Sequence, residues 1–128
     1  MKLLLDTCAA LWYWAGDARL SSKAISALSD PENEVVFHQV SYLEITLRHS
    51  LGKLPMAEPP GALVPKAIKA YGIDYAVLSN RDIQGLEQLP FHHRDPFDRL
   101  LISHARHKGL VIVSADEEMP KYDVSVLW

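Results

Sequence analysis

A chain of 128 residues is long enough for one domain with a proper core, and 48% hydrophobic with 23% charged residues is ordinary for a globular protein. No apolar run approaches the roughly 20 residues that span a bilayer, and Leu3-Leu4-Leu5 is cut off by Asp6 too early for a secretory signal; with the single Cys8 unable to close an intrachain disulfide, a cytoplasmic protein without membrane association is expected. A net charge of −3 excludes a protein that coats nucleic acid by bulk electrostatics, although it leaves room for a nuclease whose acids are occupied by cations.

Lys2 to Leu5 reads as a short buried strand. Asp6 or Thr7 caps a helix that runs through Ala9, Ala10, Leu11, Trp12 and Trp14 and closes at Gly16. Ser21 or Ser22 caps a second helix, Lys23 to Leu28, and Asp30-Pro31-Glu32-Asn33 is a turn. Val35-Val36-Phe37 is a second strand. A third helix starts at Ser41 and reaches about Leu51, stopped by Gly52 and Pro55. Residues 55–61 carry Pro55, Pro59, Pro60 and Gly61 and read as a loop, with helical pattern from Ala62 to Tyr71. Tyr75 to Leu78 is a third strand, and Ser79 or Asn80 caps a short helix through Leu86. Asp95 before Pro96 reads as an N-cap followed by proline at the first helical position, for a helix ending at Gly109. Leu110 to Val113 and Val124 to Leu127 are the fourth and fifth strands.

Strands alternate with helices, and the strands are solid apolar runs rather than alternating ones. That pattern predicts an α/β fold with a parallel sheet covered on both faces. Ligands in such folds bind at the carboxyl ends of strands. The places to look are Asp6, after the first strand, and Ser114-Ala115-Asp116, after the fourth.

Asp6 is adequately explained as a helix cap, and Asp116 as a first-turn acid beside a Ser114–Glu117 capping box. Glu44 is harder to dismiss. Val40, Leu43, Leu47 and Leu51 form one face of the third helix, and Glu44 points to its centre. A carboxylate there is costly to bury unless a cation meets it. Asp98 repeats the pattern, sharing a face with Leu101, Ile102 and Ala105. Acids converging at strand ends repel one another without a metal. With a hard divalent cation they can activate water and neutralise charge at a phosphodiester.

Other chemistries lack their residues. No G-x-G-x-x-G, G-x-x-x-x-G-K-[ST] or G-x-S-x-G is present. Cys8 reads as a small core residue. Arg94, Arg99, Arg106 and Lys108 share residues 92–108 with His92, His93, His104 and His107, a local basic patch that taken alone reads as a solvated helix face.

Several segments in order carry a resemblance: Leu3-Leu4-Leu5-Asp6-Thr7, Ser41-Tyr42-Leu43-Glu44-Ile45, Leu51-Gly52-Lys53-Leu54-Pro55, His92-His93-Arg94-Asp95-Pro96-Phe97-Asp98-Arg99-Leu100-Leu101-Ile102, Ser114-Ala115-Asp116-Glu117 and Val126-Leu127-Trp128. Over nearly its whole length the chain resembles PIN-domain proteins, specifically the VapC toxins of type II toxin–antitoxin pairs. The family's metal-binding acids fall on Asp6, Glu44, Asp98 and Asp116, and its flanking hydroxyls on Thr7 and Ser114. Ser114 stands where threonine is commoner, and Tyr42 where tryptophan is frequent. Asp95 is an additional acid of the motif, a helix cap first and an auxiliary second.

The resemblance implies a three-layer α/β/α sandwich, a Mg²⁺- or Mn²⁺-dependent endoribonuclease, a homodimer, and inhibition by a cognate VapB-type antitoxin. Arg94, Arg99, His92 and His93 are candidates for contacts to RNA phosphates. Trp12, Tyr13 and Trp14 are consecutive on a short helix and cannot all face inward, which suggests a dimer or antitoxin surface. The alternatives are a catalytically inactive module that binds RNA or protein, and a nuclease acting on DNA.

Overall fold

The computed structural model describes residues 1–128. Five strands and six helices follow one another as β1 (Lys2–Leu5), α1 (Thr7–Ala15), α2 (Ser22–Ser29), β2 (Glu34–His38), α3 (Gln39–Ser50), α4 (Pro60–Ala70), β3 (Asp74–Ala76), α5 (Asn80–Gln84), α6 (Pro96–Lys108), β4 (Val111–Val113) and β5 (Ser125–Leu127), with a single 3-10 turn at Met119–Lys121. The sheet order is β3-β2-β1-β4-β5, and every pairing is parallel.

Alternate residues of each strand feed two separate cores, as side chains projecting to opposite faces must. Leu3, Leu5, Phe37 and Val113 join Ala9 and Ala10 of α1, Ala24 and Leu28 of α2, Ile45 of α3 and Val64 of α4. Leu4 and Ile112 meet Leu101, Ile102 and Ala105 of α6, with Met119 and Tyr122. The result is the expected sandwich of three layers. Its solid apolar strands follow from burial on both faces.

Several boundaries differ from the sequence reading, each for a physical reason. Helix α3 begins two residues before Ser41, because His38 serves as its N-cap and accepts the Val40 N–H on Nδ1 at 2.9 Å. Helix α4 begins at Pro60 rather than Ala62, since proline suits the first helical position. Strand β3 stops at Ala76, leaving Val77 and Leu78 exposed.

The apolar face assigned to α3 is also corrected. Its buried residues are Val40, Ser41 and Ile45, whereas Leu43, Leu47 and Leu51 are 50%, 44% and 67% exposed. Glu44 therefore lies on the flank of the buried stripe, not at its centre.

Candidate functional site

In this sheet β1 is central, with its chain-order neighbour β2 on one side and β4 on the other. The order reverses between β1 and β4, and a crevice opens at their carboxyl ends. Asp6 follows β1 directly, and its backbone N–H donates to Val113 at 3.2 Å, which fixes it at that seam. Its side chain caps α1, with Oδ1 accepting from Ala9 N–H at 2.7 Å. Buried Thr7 donates its hydroxyl to Glu44 Oε1 at 2.6 Å and lies 3.0 Å from Ser41 Oγ. That contact ties α1 to α3 and aims Glu44.

Asp95 caps α6, with Oδ1 accepting from the N–H groups of Phe97 at 2.9 Å and Asp98 at 3.0 Å. Asp98 then sits in the first turn. Asp116 is held by a loop rather than a helix. Ser114 Oγ accepts from Asp116 N–H at 3.0 Å, and Asp116 Oδ1 accepts from Glu118 N–H at 2.9 Å. The Ser114–Glu117 capping box is thus not formed, because no α-helix follows β4, only the 3-10 turn at Met119–Lys121.

Asp6, Glu44, Asp98 and Asp116 line one pocket of about 320 Å³, together with Thr7, Cys8, Trp12 and Ala115. Four carboxylates from four elements face one small volume, and their electrostatics show it. Burial, opposed by hydrogen bonds from Ser114 and Ala9 and reinforced by Asp116 and Glu44, raises the Asp6 carboxyl to about 6. Burial and the Asp95 carboxylate raise Asp98 to about 7, although a His93 hydrogen bond opposes them. Burial also raises Glu44, against the Thr7 hydrogen bond. Arg48 Nη1, 3.8 Å from Glu44 Oε2, is the cation that pairs with Glu44. The oxygen-only donor set fits a hard divalent cation such as Mg²⁺ or Mn²⁺.

The basic residues divide. Arg94 is exposed at the start of α6. His92 is exposed, its ring edge-on to Tyr122 at 4.8 Å. Arg99 is not available as a phosphate contact, contrary to the sequence expectation. It is 5% exposed, donates from Nη1 to Pro90 O at 2.7 Å and from Nη2 to Leu89 O at 3.1 Å, and carries the Phe91 ring 3.9 Å from its guanidinium carbon. His93 is partly buried and bonded to Asp98 and Tyr122, so its ring is committed within the protein. His104 is buried as well, which corrects the solvated face assigned to that part of α6.

Cys8 is on the exposed pocket lining rather than in the core, and the partial desolvation of its thiol by the pocket walls, together with the Asp6 carboxylate, holds it above the usual range. Trp12, Tyr13 and Trp14 are each half-buried, against Trp128, Tyr71 and Phe37 respectively. Trp12 and Trp14 wall a largely apolar groove of about 660 Å³ between α1 and α4, which meets the acidic pocket at Cys8 and Trp12 and carries Arg19, Arg48 and Lys66. Sequence reasoning missed Tyr122. It lies in an irregular stretch beyond β4, and only its isolation among polar residues hinted at a buried anchor.

A family profile described as PIN domain matches residues 3–125. No curated protein matches the chain. Among solved structures, VapBC2 from Rickettsia felis, bound to a DNA fragment from its promoter, has a TM-score of 0.75 at 13% identity, covering 100% of this chain and 99% of that one. FitAB bound to a DNA fragment has a TM-score of 0.68 at 13% identity, covering 98% and 93%. FitAcB from Neisseria gonorrhoeae has a TM-score of 0.67 at 14% identity, covering 98% and 96%. At these identities the likeness is one of fold.

Proposed function

The chain belongs to the PIN-domain family, and from that premise we propose that it is a Mg²⁺-dependent endoribonuclease, with Mn²⁺ able to substitute, acting as the toxin of a VapBC-type pair. The observation that carries this reading is the meeting of Asp6, Glu44, Asp98 and Asp116 in one pocket at the β1–β4 switch point. PIN domains are generally nucleases. The four acids are the residues that would hold the cation. When bound, it would acidify a water and neutralise charge on the scissile phosphate.

The chain's own residues supply the positioning. The α1 cap fixes Asp6, Thr7 fixes Glu44, the α6 cap fixes the backbone at Asp98, and the Ser114 loop fixes Asp116. Arg94 and His92, exposed beside α6, are the basic groups free to meet RNA phosphates.

The solved VapBC and FitAB structures support a cognate VapB-type antitoxin as partner. The apolar groove walled by Trp12 and Trp14, rimmed by Arg19, Arg48 and Lys66, suits an extended or helical segment with acidic flanks. A homodimer is also proposed, through a different surface. Leu43 and Leu47 project from α3, and Leu78, whose N–H donates to Gln39 Oε1 at 3.2 Å one turn earlier, extends the same exposed apolar strip. No helix is long and apolar enough to cross a membrane, and action in the cytoplasm is part of the proposal.

Incubation of the purified protein with single-stranded RNA and DNA in Mg²⁺ tests this. Cleavage of RNA that stops in EDTA is expected, with Asp6→Asn and Asp98→Asn inactive. Cleavage persisting in EDTA, or at wild-type rate in either variant, would overturn it. Preferential cleavage of DNA would replace the substrate class.

A further inference from the structure

Asp98 is held by a chain of hydrogen bonds that begins at a buried cation. The Arg99 guanidinium is anchored on the carbonyls of Pro90 and Leu89, and its Nη1 also donates to Tyr122 Oη at 3.2 Å. The backbone N–H of His93 donates to the same oxygen at 3.2 Å. A phenol oxygen that accepts two N–H donors has only its own hydrogen left to place. Two acceptors are near it: His93 Nδ1 at 2.7 Å and the His93 carbonyl at 3.4 Å. The first is much the better bond. The reverse arrangement, with a proton on Nδ1, would aim three N–H donors at one hydroxyl oxygen.

With Nδ1 accepting, the ring proton resides on Nε2, which lies 3.2 Å from Asp98 Oδ2. We propose that His93 is the positioning residue of the acidic site: Tyr122, pinned by Arg99, fixes its tautomer, and its Nε2–H holds Oδ2 of Asp98, leaving Oδ1, which has no protein hydrogen bond, as the oxygen that would hold the cation. This inference rests on the metal-site reading above and assigns that site a support outside the four acids.

The ring nitrogen, Asp98 and Asp116 lie close enough together for His93 to be taken as a nitrogen ligand itself. The tautomer decides against that, since a protonated Nε2 has no lone pair to offer. It also corrects the reading of His93 as a phosphate contact. Partners of this kind orient a ligating carboxylate, and their loss typically weakens metal binding about 10- to 100-fold.

The test begins with the full-length protein labelled with ¹⁵N. Long-range ¹H–¹⁵N correlation of the histidine rings reads which nitrogen of His93 carries the proton, with no metal and no activity required. The expected result is an Nε2–H tautomer, kept when Mg²⁺ is added. An Nδ1–H tautomer, or loss of the Nε2 proton on adding Mg²⁺, overturns the proposal. Binding of Mn²⁺ followed by electron paramagnetic resonance supplies the second measurement.

Tyr122→Phe keeps the buried ring and removes only the hydroxyl. It should turn the His93 signal into a mixture of tautomers and weaken Mn²⁺ about 10- to 100-fold. His93→Gln, which retains a donor for Asp98, should lose less than His93→Ala. Equal Mn²⁺ affinity in wild type, Tyr122→Phe and His93→Ala overturns the inference. If Asp98→Asn also binds Mn²⁺ as wild type does, the metal-site reading falls with it. If Asp98→Asn alone loses Mn²⁺, only the positioning role of His93 falls.

Discussion

Asp98 is placed where the fold pays twice for a charge: it is desolvated, and the Asp95 carboxylate stands beside it. Its folded-state carboxyl at about 7, like that of Asp6 at about 6, lies above the unfolded value. The folded protein then holds more protons than the unfolded one across the intervening range. The stability these groups contribute is present at low pH and lost as pH rises through about 6 and about 7. Metal-free Asp98→Asn should therefore be more stable than wild type at pH 8, by on the order of 1 kcal/mol after allowance for its partial exposure and the lost dipole interaction. Added Mg²⁺ should raise the melting temperature of wild type and not of the variant. A variant less stable than wild type without metal would make Asp98 a structural helix-start acid. At this scale the acids were legible because carboxylates at strand ends and on buried faces are out of place. Glu44 reached the site although its supporting argument failed: Leu43, Leu47 and Leu51 point outward. The Arg99–Tyr122–His93 connection was not legible, because it joins residues 23 and 29 positions apart through a hydroxyl with no pattern around it.

Helices α5 and α6 and the β2–α3 junction meet on a second buried carboxylate, Asp82. Its two oxygens receive four N–H groups: Ser79 N and His38 Nε2 on Oδ2, His104 Nδ1 and His107 Nε2 on Oδ1. Since His38 Nδ1 accepts from Val40, its Nε2 must carry the proton and is a donor, not a metal ligand. Burial alone would raise Asp82, but the bonds from His107, Ser79, His104 and His38 outweigh it and hold the carboxyl well below the ordinary range. Burial lowers His38, against its bond to Asp82. Both groups bind fewer protons folded than unfolded. Their stability is present at neutral pH and is lost as pH falls, for His38 below about 6.5 and for Asp82 below about 4. This limb opposes that of the acidic site, so Asp98→Asn, which removes most of the other, should lose stability on acidification more steeply than wild type in thermal melts from pH 7 to 4. Asp82→Asn, which turns a saturated acceptor into a partial donor, should cost at least about 3 kcal/mol at pH 7 by chemical denaturation. The approach of the two helices also depends on Gly85, where an added Cβ would run into Ser103 Oγ, itself bonded to Asp82 O at 2.6 Å. Gly85→Ala should cost about 1–3 kcal/mol, and a neutral result would mean the helices can part freely. The Ser79 cap and the Asp95-Pro96 start were visible in sequence because capping is local. The hub was not, because Asp82 on α5, His38 at the β2–α3 junction and the pair His104 and His107 on α6 are far apart in sequence, and α6 histidines beside arginines look like a solvated face.

The order of strands decides where the chemistry sits, and the order follows from connection rules more than from any single residue. Solid apolar strands separated by helices demanded a parallel sheet, and a reversal of winding at β1 leaves one crevice at carboxyl ends, the one that Asp6 and the Ser114 loop border. What local pattern could not supply is which faces remain uncovered after the layers close. Trp12, Tyr13 and Trp14 looked like the apolar excess, yet each packs on an aromatic partner, while the α3 leucines read as core are the ones left in solvent. Helix α3 is long enough to satisfy its core with Val40 and Ile45 alone, so its other apolar side is free for a second copy. If that strip is the dimer face, Leu43→Glu with Leu47→Glu should convert a dimer to a monomer in sedimentation velocity at micromolar concentration. The same pair should leave Mn²⁺ binding at the acidic pocket unchanged, because both side chains point away from the core that positions Glu44. A wild-type chain that sediments as a monomer at 100-fold higher concentration would remove the homodimer from the proposal. A dimer that survives both charges would move the interface elsewhere, with the groove beside Trp12 and Trp14 the next apolar surface to test by Trp14→Arg.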